Sequence, residues 1–166
     1  MQSSLVGYTL EERYIDMPAG LLFDQDELVA SFLFKMYGQK PFKIERALGI
    51  IANAQLVGAV IFHNWNGANV EMSYYGKNTM TVGIVRLIAR FMICTFDPSR
   101  LTVVTIRRNK RLIRAYYKLG FKLEGTQRCY YGKKDCQRNT GVRFVMFRDR
   151  IDEIAKLPKS PKAVQC

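Results

Sequence analysis

The chain has 166 residues, a mass of 19.2 kDa, 48% hydrophobic residues and a formal charge of +12 with a pI near 9.7. That length is enough for one domain with a real core, and no apolar run approaches the ~20 residues that a membrane-spanning helix needs. Cys94, Cys129, Cys136, Cys166 and a single histidine show no zinc or disulfide-framework spacing, which points to free thiols in a reducing cytoplasm and to no metal site.

The opening MQSSLVGYTLEER has no basic segment followed by an apolar block, so no signal peptide is expected. A first strand is expected around Tyr8 to Ile15, and Pro18-Ala19-Gly20 is a break. Asp24, with Glu27 three residues on, reads as the capping box of a helix. Leu28, Phe32, Leu33 and Met36 form its stripe, which ends near Gly38, and Lys40-Pro41 closes this part. Strands then follow at Ile44–Ile51 and Leu56–Trp65 around an Asn53-Ala54 turn. Asn66-Gly67 is a hairpin signal, and Val70–Tyr75 is the third strand. On it Glu71, Ser73 and Tyr75 share one face, and Val70, Met72 and Tyr74 the other. His63, beside Trp65, reads as a hydrogen-bonded structural residue.

A helix is expected over Thr79–Thr95, with Val82, Val85, Ala89 and Met92 inward. Its approach, Gly76-Lys77-Asn78-Thr79-Met80-Thr81, combines a turn glycine, a cation and two candidate caps, Asn78 and Thr79. Unpaired N–H groups at a helix start bind phosphate. Asp97-Pro98-Ser99 breaks the chain before the β-branched strand Leu101–Ile106. Next comes Asn109–Gly125. Leu112, Ala115, Tyr116 and Leu119 lie on one helical face, with Lys110, Arg114 and Lys118 on another. Gly120 suits a left-handed C-terminal residue, and Phe121, Leu123 and Gly125 alternate as in a strand. Tyr116 and Tyr117 sit about 100° apart, so only one can point inward. Gly132–Thr140 is a basic loop, Val142–Phe147 a last strand and Asp149–Leu157 a short helix. The organisation is one domain over 1–157 and a flexible basic tail over 158–166, without internal repeats.

Charge is unevenly placed. Residues 100–138 hold 12 Lys and Arg against Glu124 and Asp135, whereas residues 1–36 hold six acids against Arg13 and Lys35. Such a field steers an anionic ligand or partner; a solvated face that aids solubility is the other reading.

Asn109, Tyr116, Leu119-Gly120-Phe121 and Glu124-Gly125 resemble the end of the coenzyme-A-binding core of GNAT (GCN5-related) N-acetyltransferases. Weaker matches extend over roughly 45–148, and the look is nearest to phage-encoded members and the ribosomal-protein N-terminal branch. The run 76–83 departs from the family's Gln/Arg-x-x-Gly-x-Gly/Ala pattern, offering only Gly76 and Gly83. The resemblance implies an α/β (α+β) fold: a central mixed, mostly antiparallel sheet flanked by helices. It also implies that the strands on either side of helix 109–119 splay around acetyl-CoA.

For function, the resemblance implies acetyl transfer to an amine by direct attack. Glu71 would be the base, Tyr116 the acid, and the N–H groups near Tyr74 and Tyr75 would polarise the thioester. Gly76, Lys77, Asn78, Thr79, Met80 and Thr81 would take the pyrophosphate, and Asn109 the pantetheine arm. Glu71 as a salt-bridge partner for arginines, and Tyr116 as a core residue, stay open. The acceptor would be a protein, a small molecule or a nucleic-acid base in the cytoplasm, with no membrane partner. Alternatives are a DNA-base-modifying enzyme of the phage Mom type, holding nucleic acid through the basic region 100–138, and a non-catalytic binding protein.

Overall fold

The computed structural model describes residues 20–38 and 43–156. The strand expected at Tyr8–Ile15, the Lys40-Pro41 break and the tail 158–166 lie outside them. Seven strands form one sheet in the order β1-β2-β3-β4-β5-β7-β6. They are β1 (Gly20–Leu22), β2 (Arg46–Ala52), β3 (Gln55–His63), β4 (Asn69–Gly76), β5 (Arg100–Ile106), β6 (Lys122–Gln127) and β7 (Gly141–Phe147). The helices are α1 (Asp26–Tyr37), α2 (Val82–Phe96), α3 (Lys110–Leu119) and α4 (Arg148–Ala155). All pairings are antiparallel except β4 with β5. This is the mixed, mostly antiparallel sheet expected from the sequence.

Two cores cover the two faces. Phe62, Val70, Met92, Tyr116, Phe144 and Ile151 belong to the larger one, beneath α2, α3 and α4. Val29, Leu33, Ala59 and Ile61 form the smaller one, beneath α1. The alternation along β4 follows from its pleat: Met72 and Tyr74 pack against the larger core, and Tyr75 against the smaller. Asn53 and Ala54, both at positive φ, make the tight β2–β3 turn. The β3–β4 connection is held by Asn66, whose Oδ1 accepts from the N–H groups of Ala68 and Asn69 at 3.1 and 2.8 Å.

Several local expectations are corrected. Gln25, not Asp24, precedes α1 as its N-cap, without a side-chain cap bond. Asp24 instead pairs with Arg46, and Asp26 accepts from the Ala47 N–H, so these acids tie α1 to β2. The buried face of α1 runs through Val29 and Leu33, leaving Leu28 and Met36 exposed. The second helix begins at Val82, three residues later than expected. Thr81 is its cap, accepting from the Ile84 N–H at 3.2 Å, and Val82 is exposed. After Gly120, Phe121 is buried but Leu123 is exposed, because β6 is the sheet's edge and its register slips between Leu123 and Gly125.

The largest correction concerns the splay. β7 lies between β5 and β6, joined to both by antiparallel ladders. The strands on either side of α3 therefore do not open around a ligand. Instead β4 and β5 pair only from Asn69↔Arg100 to Met72↔Val103. Beyond Met72 they part, and β4 keeps only its ladder to β3.

Candidate active site

The parting of β4 and β5 makes an opening through the sheet. A cleft of ≈ 510 Å³ there is lined by Glu71, Ser73 and Tyr75 from one face and by Met72, Tyr74 and Tyr116 from the other. A second groove of ≈ 620 Å³ continues from it, sharing Tyr74, Asn109 and Leu112 and adding Gly76, Lys77, Asn78, Met80 and Arg111. Neighbouring N–H groups along a strand point to opposite sides. One alternate set of the N–H groups over Ser73–Gly76 is therefore turned away from β3, into the space that β5 has left.

Glu71 sits where the strands are still paired. Its carboxylate accepts from Arg143 Nη1 at 3.2 Å and Asn64 Nδ2 at 3.2 Å, and Oε2 lies 3.8 Å from His63 Nδ1. Arg143 reaches it from β7 across β5. The site therefore contains the arginine pairing considered for Glu71, while Glu71 also lines the cleft. His63 is buried, and its Nε2 is 2.9 Å from Ser73 Oγ. Burial lowers its pKa below the ordinary value and outweighs the raising effect of Glu71.

Tyr116 points inward and Tyr117 outward, at 6% and 52% exposure, as the 100° step requires. The Tyr116 ring packs on Phe121 and Phe144 at 5.1 and 5.5 Å. It is a core residue and a cleft residue at once. Burial, followed by the neighbouring Tyr131 and Tyr74, pushes its phenol well above the usual range, so it holds its proton at neutral pH. Asn109 caps α3 through a bond from the Leu112 N–H at 3.1 Å, which commits one oxygen while its amide remains on the wall shared by both clefts.

The loop 76–81 turns through two residues at positive φ. Asn78 takes φ 57 and Gly76 φ 153; asparagine tolerates the left-handed conformation better than most residues. A Cβ on Gly76 would lie 2.8 Å from Thr79 Oγ1. Thr79 is fixed by Tyr74 Oη at 2.7 Å, and the Thr81 N–H is used by the Thr79 carbonyl. The N–H groups of Val82 and Gly83, at the exposed start of α2, make no hydrogen bond to a described residue. Gly76, Lys77, Asn78 and Met80 of the expected 76–81 run line the second groove together with Arg111, next to this helix start.

Tyr130 and Tyr131 were not among the sequence candidates. They follow β6 and form the far wall of the cleft, with ring centroids 4.8 Å apart. Burial, then Tyr130 and Tyr75, pushes the Tyr131 phenol up to about 12. Only the Tyr-Tyr pair itself, an apolar spot before a basic loop, could have drawn attention to them. In the basic region, Arg100 pairs with Glu124 at 2.8 Å and Arg128 with Asp135, whereas Arg107, Arg108, Lys110, Arg111 and Lys134 make no ion pair with a described residue.

No family model and no curated protein matches the sequence. Solved structures do match in fold, and the neighbours are GNAT-family acetyltransferases. The spermidine/spermine N-acetyltransferase from Vibrio cholerae aligns with a TM-score of 0.65 at 11% identity, over 84% of this chain and 98% of that one. The ribosomal-protein-S5-alanine acetyltransferase from Vibrio fischeri aligns at 0.56 and 13%, over 79% and 92%. A GCN5-related N-acetyltransferase from Brucella melitensis aligns at 0.54 and 16%, over 66% and 54%. For it and two further acetyltransferase structures the match spans only 54%, 61% and 62% of their length. At these identities the likeness is one of fold. No helix among the described residues is long and apolar enough to cross a membrane.

Proposed function

We propose that the chain is an acyl-CoA-dependent N-acyltransferase that moves an acetyl group from acetyl-CoA to an amine by direct attack. The observation that carries this reading is the through-sheet opening, with Glu71 on one face and Tyr116 on the other of a single cleft. Acetyl-CoA, when bound, supplies the reactive thioester. Its pyrophosphate is held in the groove of Gly76, Lys77, Asn78, Met80 and Arg111, with the Val82 and Gly83 N–H groups at the helix start beside it, and its arm runs past Asn109. The amine enters beside Glu71, which takes the proton the nitrogen loses as it bonds to the carbonyl carbon. The N–H groups of 73–76 that face the gap stabilise the carbonyl oxygen as it gains charge. Tyr116, whose raised pKa keeps it protonated, donates to the sulfur as the carbon–sulfur bond breaks.

The fold likeness to enzymes named for spermidine and for a ribosomal protein supports an amine acceptor in general terms. A nucleic-acid base as that acceptor is a second reading, favoured by the cations around Arg107–Arg111 that lack carboxylate partners among the described residues. Steeply salt-dependent DNA binding would support it. The transferase reading is tested by calorimetry with acetyl-CoA up to millimolar concentration. Heat of binding and a raised melting temperature are expected; neither appearing would remove the donor, and with it the reaction.

A further inference from the structure

Behind the cleft lies a separate apolar cavity of ≈ 90 Å³. It lies between the sheet and α2, α3 and α4, and four methionines, Met72, Met80, Met92 and Met146, are part of its wall. It is not an isolated packing fault, because it adjoins the place where the thioester would sit. Tyr74, Leu112 and Tyr116 line both the cavity and the cleft. Met72 does so as well, so these four side chains together separate the two spaces.

The size is informative. The space equals about three water volumes at ~30 Å³ each, and a methylene is of similar bulk. An apolar cavity of this kind stays dry and takes up small apolar molecules. Room exists because Ala89 on α2 and Ala115 on α3 present only methyl groups to it; larger residues at either position would fill it. Unbranched methionines can also shift to fit a guest. An acetyl group, with one methyl beyond its carbonyl, would leave the cavity unfilled.

We propose that this cavity receives the acyl tail of the donor, so that the site takes, beside acetyl, a short-chain acyl group of about four or five carbons and binds it more tightly. The proposal rests on the transferase reading above and names its donor class. The bond changes are unaltered: the amine nitrogen acquires the acyl carbon, Glu71 the proton, and the sulfur leaves as the thiol with the proton from Tyr116.

The test is calorimetry of the full chain with non-reacting thioethers: CoA, S-methyl-CoA, S-butyl-CoA and S-decyl-CoA. Each buried methylene is expected to tighten binding about three- to fourfold. S-butyl-CoA should therefore bind at least about tenfold more tightly than S-methyl-CoA, and S-decyl-CoA no better than S-butyl-CoA because its tail outgrows the cavity. Ala89→Leu, or Ala115→Leu should the first variant not fold, is expected to abolish the gain. Equal affinity for the methyl and butyl compounds, with CoA itself binding, would overturn the tail pocket and leave the transferase reading standing. A gain that survives the filled variants would overturn its location. No binding of any compound, CoA included, would overturn the transferase reading and this proposal together.

Discussion

The two halves of β4 belong to one strand and do opposite things. Over Asn69–Met72 it is zipped to β5, and the junction is locked by Asn69 Oδ1, which accepts from Arg100 Nε at 3.1 Å and from the buried Thr102 Oγ1 at 2.6 Å. Val70 and Leu101 pair there in the core. Over Ser73–Gly76 the strand loses β5, and what it gains is a cleft. A sheet that gives up part of one ladder exposes backbone N–H groups at a fixed, rigid position, which loops do less well. The firmly paired half is what holds the open half apart, and Glu71, at the boundary, is braced by Arg143 from the far side of β5.

The contrast can be broken at either half. The largest effect is expected in the zipped one: Leu101→Ala should cost about 2–5 kcal/mol of stability, as such core truncations do, read by urea denaturation. In the open half, Tyr116→Phe should lower turnover at least about tenfold. Its melting temperature should change little, since one hydrogen bond is worth about 0.5–1.5 kcal/mol; Tyr117→Phe should do much less. Equal activity in Tyr116→Phe and wild type would take Tyr116 out of the chemistry. Tyr74→Phe removes the bond to Thr79, and should cost about 0.5–1.5 kcal/mol and loosen the 76–81 loop, seen as weaker CoA binding.

The smallest effect is a pH dependence at the boundary. His63 has a lowered pKa in the fold, so below its unfolded value near 6.5 the unfolded chain binds the proton more readily. Stability is complete above that pH and declines as pH falls from there toward the folded pKa. Thermal melts between pH 7.5 and 5 should show this fall, and His63→Gln should flatten that part of it. An unchanged slope in the variant would assign the fall to other groups.

Much of the frame was legible because it is local. The α3–Gly120 turn, the inward Tyr116 and the two faces of β4 follow from periodicities of 3.6 and 2 that neighbouring residues carry. What was missed depends on partners far apart in sequence. Nothing near Leu101 says that β7 inserts beside β5, so the expected splay falls on the wrong pair of strands. Arg143 meets Glu71 across 72 residues, and Tyr131 meets the cleft only because β6 returns to β7. Asp24 reads as a cap because capping is a local rule, but it pairs instead with Arg46 on another element. In the 76–81 loop the left-handed turn sits at Asn78, a position that no glycine marks in the sequence.

Hydrogen exchange of the β4 backbone with and without acetyl-CoA tests the central claim most directly, because it compares the two halves in one experiment. The account predicts added protection at 73–76 and 82–83, where N–H groups meet the ligand, and little change at 69–72, which the β5 ladder already protects. No added protection at 73–76 under saturating acetyl-CoA, or protection confined to the basic loop 132–140, would contradict it.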